Sequence, residues 1–145
     1  MLRWARKHHC PWNLATCFRA AESGHLEVLV WARKHGCPWD RMTSYFAALE
    51  GQLAVLQWAH THGCPWDEDT CTAAARGGHL EVLQWMREHG CPWNEYVCCT
   101  AAQCGRLEVL RWARENGCEW DKKTIDCAAG GCAEIIEYVR ANGRA

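Results

Sequence analysis

Cysteine, histidine and tryptophan are the residues of this chain best equipped for chemistry, and they arrive in a fixed order. His35-Gly36-Cys37, His62-Gly63-Cys64 and His89-Gly90-Cys91 each set an imidazole two residues before a thiol, with Trp39, Trp66 and Trp93 two residues further on. Twelve cysteines, eight histidines and ten tryptophans are spread over 145 residues. Such a set offers three chemistries: a soft-metal site, a ladder of disulfides, or an aromatic platform for stacking a ligand.

The spacing disfavours the first two. Structural zinc needs four ligands at about 2.0–2.3 Å, and each His-x-Cys pair supplies only two, with the next pair about one helix diameter away. Neither Cys-x-x-Cys nor His-x₃₋₅-His occurs, so no metal and no cofactor is expected. Disulfides need Cα atoms within about 7 Å, whereas equivalent positions on neighbouring packed helices lie about 10 Å apart. The expectation is twelve reduced, structural thiols, with Cys17, Cys71 and Cys98 facing inward. Catalysis finds no constellation: Cys and His recur with the repeat, and no G-x-S-x-G, phosphate loop or dinucleotide fingerprint is present. The chain reads as no enzyme.

The elements that position these residues follow from the period. Cys10, Cys37, Cys64, Cys91 and Cys118 are spaced by 27 residues, as are Trp12 to Trp120 and Trp4 to Trp112, two ladders that hold every tryptophan. A fixed period in this range marks a stacked repeat array. The units are 13–39, 40–66, 67–93, 94–120 and 121–145, preceded by a half unit 1–12. Asp or Asn opens each unit as a helix N-cap, with Pro two residues earlier in four of the five cases. A first helix such as "DEDTCTAAARGG" closes at Gly, and a second such as "HLEVLQWMREHG" carries Leu, Val and Leu at helical spacing. Two antiparallel helices per unit, with nothing resembling a strand, predict an all-α fold, an α-solenoid in one domain. In that setting Cys-Pro-Trp-Asp supplies small and large pieces of core, the stop of one helix and the cap of the next, and the second-helix tryptophans are expected to fill inter-repeat grooves.

The stretch from Thr70 to Gly90, Thr-x-x-x-Ala-Ala followed by Gly-His-Leu-Glu-Val-Leu and a closing Gly, resembles the ankyrin repeat, and the likeness extends over every unit. The ankyrin period is about 33; the missing residues fall where that family carries its β-hairpin finger, and the family's Thr-Pro-Leu-His is replaced by Thr70-Cys71-Thr72-Ala73. The resemblance implies shortened, finger-less ankyrin-like repeats, a protein-binding scaffold without catalysis, and first helices lining a concave side.

Composition sets the remaining bounds. Sixteen basic against seventeen acidic residues, net charge −1, disfavour a nucleic-acid or anionic-membrane surface. "MLRWARKHH" lacks the apolar core of a signal peptide, and no apolar run is long enough to span a bilayer. A cytoplasmic protein in a reducing compartment is expected.

Positions that differ from unit to unit mark where a partner could bind. The third, sixth, seventh and tenth positions vary most, and their spacing places them on one face of the first helix. There Phe18, Arg19, Met42, Tyr45, Phe46, Leu49, Arg76 and Tyr96 form the candidate partner-binding set. Met42, Tyr45, Phe46 and Leu49 are expected as an exposed apolar patch flanked by Arg19 and Arg76; drift of a solvated face is the competing explanation. An adaptor for a partner protein is the leading reading. The alternative is a building block that self-associates end to end, because the chain opens in mid-helix, with Leu2-Arg3-Trp4 matching Leu110-Arg111-Trp112, and shows no capping repeat there.

Overall fold

Asp and Asn start the first helices as their chemistry requires. The Asp40 carboxylate accepts from the Met42 amide at 2.9 Å, and Asn94 accepts from the Tyr96 amide at 3.0 Å. Asp67 goes further: it accepts from the amides of Asp69 and Thr70, while its own amide donates to Thr70 Oγ1, closing a capping box. The computed structural model describes residues 14–118, 122–130 and 132–142. Ten helices run through these residues: α1 (Leu14–Glu22), α2 (Leu26–Lys34), α3 (Arg41–Leu49), α4 (Leu53–Thr61), α5 (Glu68–Gly77), α6 (Leu80–Glu88), α7 (Tyr96–Gln103), α8 (Leu107–Glu115), α9 (Lys122–Ala128) and α10 (Ala133–Asn142). No strand occurs among the described residues, and none of these helices is long and apolar enough to cross a membrane. The protein is an all-α repeat solenoid. The expected half unit 1–12, with Cys10, Trp4 and Trp12, lies outside the described residues, as do Trp120 and Arg144.

In the first four units both helices stop at a glycine in the left-handed region. Gly78, at φ 75°, ends α5; the His79 amide then reaches back to the Ala74 carbonyl at 3.0 Å. A Cβ there would also stand 2.7 Å from Arg106 Cδ, because the Arg106 side chain of the next unit folds over this turn and donates to the Arg76 carbonyl at 3.2 Å. Gln52 makes the same reach to the Glu22 carbonyl one unit earlier.

The odd-numbered first helices pack side by side as one layer, α1 on α3 on α5 on α7 on α9. Their inward positions are small: Cys17, Ala20 and Ala21; Ser44, Ala47 and Ala48; Cys71, Ala74 and Ala75; Cys98, Ala101 and Ala102, all buried. Small side chains let helix axes approach to the short end of the usual range, about 8 Å. The even-numbered helices supply the large core residues Leu29, Leu56, Leu83 and Leu110, with Val55, Val82, Val109 and Ile135 beside them. Four of these second helices carry a tryptophan (Trp31, Trp58, Trp85 and Trp112), and they stand farther apart from one another than the first helices do. The result is a tight inner layer and an outer layer with clefts between its helices.

Candidate functional site

The outward face of the first helices gathers an aromatic cluster across two units. Phe18 on α1 stacks on Phe46 of α3 with centroids 5.0 Å apart, and Tyr45 meets Phe46 edge-on at 5.5 Å. All three rings are half-buried, as are Met42 and Leu49, and Tyr45 and Leu49 lean on the core. The expected patch is therefore a half-embedded ridge. Stacking against Phe18, which the repeat-by-repeat comparison had no means to reveal, covers part of each ring. Arg19 and Arg76 are exposed, and Tyr96 on α7 is 50% exposed, the most open large apolar side chain among the described residues.

The stripe narrows along the array. The seventh position of each unit reads as outward from the sequence, and Phe46 occupies it in half-buried form; in the next two units Ala73 and Thr100 are buried there. At the sixth position of the fourth unit, Cys99 is bonded to Cys127 on α9, with Cα atoms 5.6 Å apart. The expectation of twelve free thiols is corrected here. The first helices approach more closely than the 10 Å assumed for average packing, and Cys127 is displaced by one residue from the position equivalent to Cys99, a separation of 28. The signal available in the sequence was that both cysteines break the period.

The periodic cysteines behave as core. Within a unit the first-helix residue and the loop residue twenty positions on meet: Cys17 and Cys37 sulfurs lie 3.2 Å apart, and Ser44 Oγ donates to Cys64 at 3.3 Å. Burial, then the neighbouring thiol, pushes Cys17 up to about 12; burial also raises Cys64. Such groups stay protonated and inert at neutral pH.

In each His-Gly-Cys the two side chains part. Cys37, Cys64 and Cys91 point into the core, while His35, His62 and His89 stay exposed. Each of these imidazoles stacks on the Trp four residues earlier, at 4.2–4.3 Å, and places Nδ1 at 2.8 Å from that tryptophan's carbonyl. A carbonyl only accepts, so Nδ1 carries the proton. Asn116 donates to the Trp112 carbonyl in the same way, which identifies the job as satisfying a helix C-terminus.

The loop tryptophans are packed on the core yet half-exposed. Trp39 meets Trp58 edge-on at 5.6 Å, Trp66 meets Trp85 at 5.8 Å and Trp93 meets Trp112 at 5.7 Å. Arg33 lies over Trp39 and Arg87 over Trp93, at 4.2 and 4.3 Å from the ring centroids; His60 takes this position over Trp66 at 4.0 Å. Each arginine also donates to a cysteine carbonyl at 2.6 Å. These loop tryptophans are expected as large pieces of core; they pack on it, but each stays half-exposed against its helix partner.

The geometry offers surfaces rather than a reaction centre. Among the described residues no group of three or more His, Cys, Asp or Glu side chains converges. Compared with known proteins, residues 17–60 match the family model described as ankyrin repeats (many copies). No curated protein matches the chain.

Proposed function

Residues 17–60 are ankyrin-repeat sequence, in a helix pair that the chain repeats every 27 residues, and from that premise we propose that the protein is a cytoplasmic, non-catalytic adaptor that binds a partner protein through its first-helix face. Ankyrin repeats are generally protein–protein interaction modules and typically lack catalysis. The observation that carries the finer reading is the ridge of Phe18, Tyr45 and Phe46, with Met42 and Leu49 beside it, Arg19 and Arg76 exposed on neighbouring first helices, and Tyr96 further along the array. Half-embedded aromatic rings are pre-ordered by their packing, so little rotamer freedom is left to lose on binding, and aromatic residues and arginine dominate interface energies.

The test uses two variants so that folding and binding separate. Arg76→Glu/Tyr96→Ala changes only exposed side chains and should leave the melting curve unchanged. Tyr45→Ala/Phe46→Ala removes the ridge at some cost in stability. Partners captured by the wild-type protein and quantified by mass spectrometry should fall at least about tenfold with either variant. Retention of every captured partner by both would remove the first-helix face from consideration. The self-association alternative rests on the N-terminal end around Leu2, Arg3 and Trp4, which lies outside the described residues, and no observation favours it.

A further inference from the structure

The splayed second helices leave clefts that repeat with the 27-residue period, and one of them differs from the others in charge. Between α2 and α4 a cleft of about 490 Å³ is lined by Val30, Arg33, Lys34, Trp39, Trp58 and His62. The corresponding cleft between α6 and α8, about 450 Å³, is lined by Gln84, Arg87, Glu88, Trp112 and Asn116. Position by position, Val30 becomes Gln84, Lys34 becomes Glu88 and His62 becomes Asn116. The same places one unit after the first cleft hold Gln57, His60 and Thr61. The first cleft alone combines an aliphatic wall and two tryptophans with two cations and no carboxylate among its lining residues. Among the described residues neither Arg33 nor Lys34 pairs with an acidic side chain.

We propose that this cleft is a second docking site, on the face opposite the first-helix ridge, for an acidic peptide segment of a partner protein. An apolar side chain of the segment lies on Val30 beside the edge-on Trp39–Trp58 pair. A neighbouring carboxylate meets Arg33 and Lys34. Arg33 is held in place by its hydrogen bond to the Cys37 carbonyl and its contact with Trp39, so the cationic edge is fixed before a ligand arrives. The equivalent cleft around Glu88 carries its own negative charge and rejects the same segment. Like charge opposed to like is how a site discriminates.

The experiment follows the indole N–H resonances of the folded protein by NMR during titration with acetyl-Gly-Glu-Leu-Glu-Gly-amide, to about 5 mM, just beyond the millimolar end of specific affinities. The Trp39 and Trp58 signals should shift with saturation, and the isosteric Gln-Leu-Gln peptide should bind at least about tenfold more weakly. The double variant Val30→Gln/Lys34→Glu, which gives the first cleft the makeup of the third, should abolish the shifts. The reciprocal Gln84→Val/Glu88→Lys should add matching shifts at Trp93 and Trp112. Arg19→Glu/Arg76→Glu, on the first-helix face, should leave the peptide-induced shifts of Trp39 and Trp58 unchanged, which keeps this result separate from that of the ridge. No saturable shift, equal response to the glutamine peptide, or unchanged binding by the Val30/Lys34 variant would overturn the proposal.

Discussion

The Phe18–Phe46 stack makes the most decisive test of how one unit is tied to the next. Removing a fully buried Phe side chain costs about 3–5 kcal/mol; Phe46 is half-buried, so its burial is worth about 2 kcal/mol. A stacked aromatic pair adds about 1 kcal/mol beyond area, and the 5.0 Å centroid separation lies inside the favourable range for such a pair. Phe46→Ala should therefore cost about 3 kcal/mol and Phe18→Ala about 2–3 kcal/mol. The two losses share one contact, so the double variant should fall short of their sum by about 1 kcal/mol. Urea unfolding followed by tryptophan fluorescence measures all four corners of the cycle. Single costs below about 0.5 kcal/mol with a coupling near zero would show that both rings are solvated. The ridge would then be a loose surface feature and would lose its claim to be pre-ordered for a partner.

The remaining predictions concern caps, cysteines and pH. Thr43 Oγ1 is buried and has no hydrogen-bond partner, while Thr70 at the equivalent position accepts from the Asp67 amide. Thr43→Val should thus stabilise by up to about 1 kcal/mol and Thr70→Val should destabilise by a similar amount, and the same sign for both in thermal melts would refute the assignment. Thiol titration of the denatured, unreduced protein should find two fewer thiols than after reduction, from Cys99 and Cys127. Opening that cross-link should cost up to about 3.5 kcal/mol by the loop-entropy relation, and an equal thiol count before and after reduction would show that the bond does not form. Asp67 loses some solvation, yet the hydrogen bond and charge of Arg41, with the Thr70 and Asp69 amides, hold its carboxyl below the ordinary range. The stability from that depression is complete above the unfolded carboxyl value of about 3.9 and declines as pH falls through the folded value. Asp67→Asn should lower the melting temperature at pH 7 to 8 and flatten this acid limb; an unchanged limb would refute the cap's role in it.

The repeat architecture was legible because one unit explains the next. Asp40, Asp67 and Asn94 announce helix starts by their type, Gly78 announces a stop, and the Leu29 to Leu110 series announces a buried stripe. Which face of the first helix packs also follows from the Ala pairs. What escaped were the contacts between units that do not obey the period. Phe18 and Phe46 come from the sixth position of one unit and the seventh of the next, and Cys99 and Cys127 have the same offset. Comparing equivalent positions is blind to both. The close approach of the first helices makes these offset contacts possible, and that approach depends on the summed smallness of Ala, Ser, Thr and Cys along two surfaces at once.

The tryptophans join these observations. A unit of 27 residues with alanine-rich first helices has little volume to bury, and a Trp brings on the order of 200 Å². Its width also wedges the second helices apart, so the ring that fills the core on one side lines an open cleft on the other. Arg33, His60 and Arg87 then cover the exposed ring faces in different units, by cation–π contact or by stacking. Varying the residues around a fixed tryptophan pair changes the charge of a cleft without touching the core beneath it. Val30 and Lys34 against Gln84 and Glu88 are such a change, made twice on one scaffold. The first helices keep their packing in small residues and vary on the opposite face; the second helices keep theirs in Leu and Val and vary at the cleft. A solenoid built this way can present two independent surfaces to partners, and each can change at little cost to the fold that carries both.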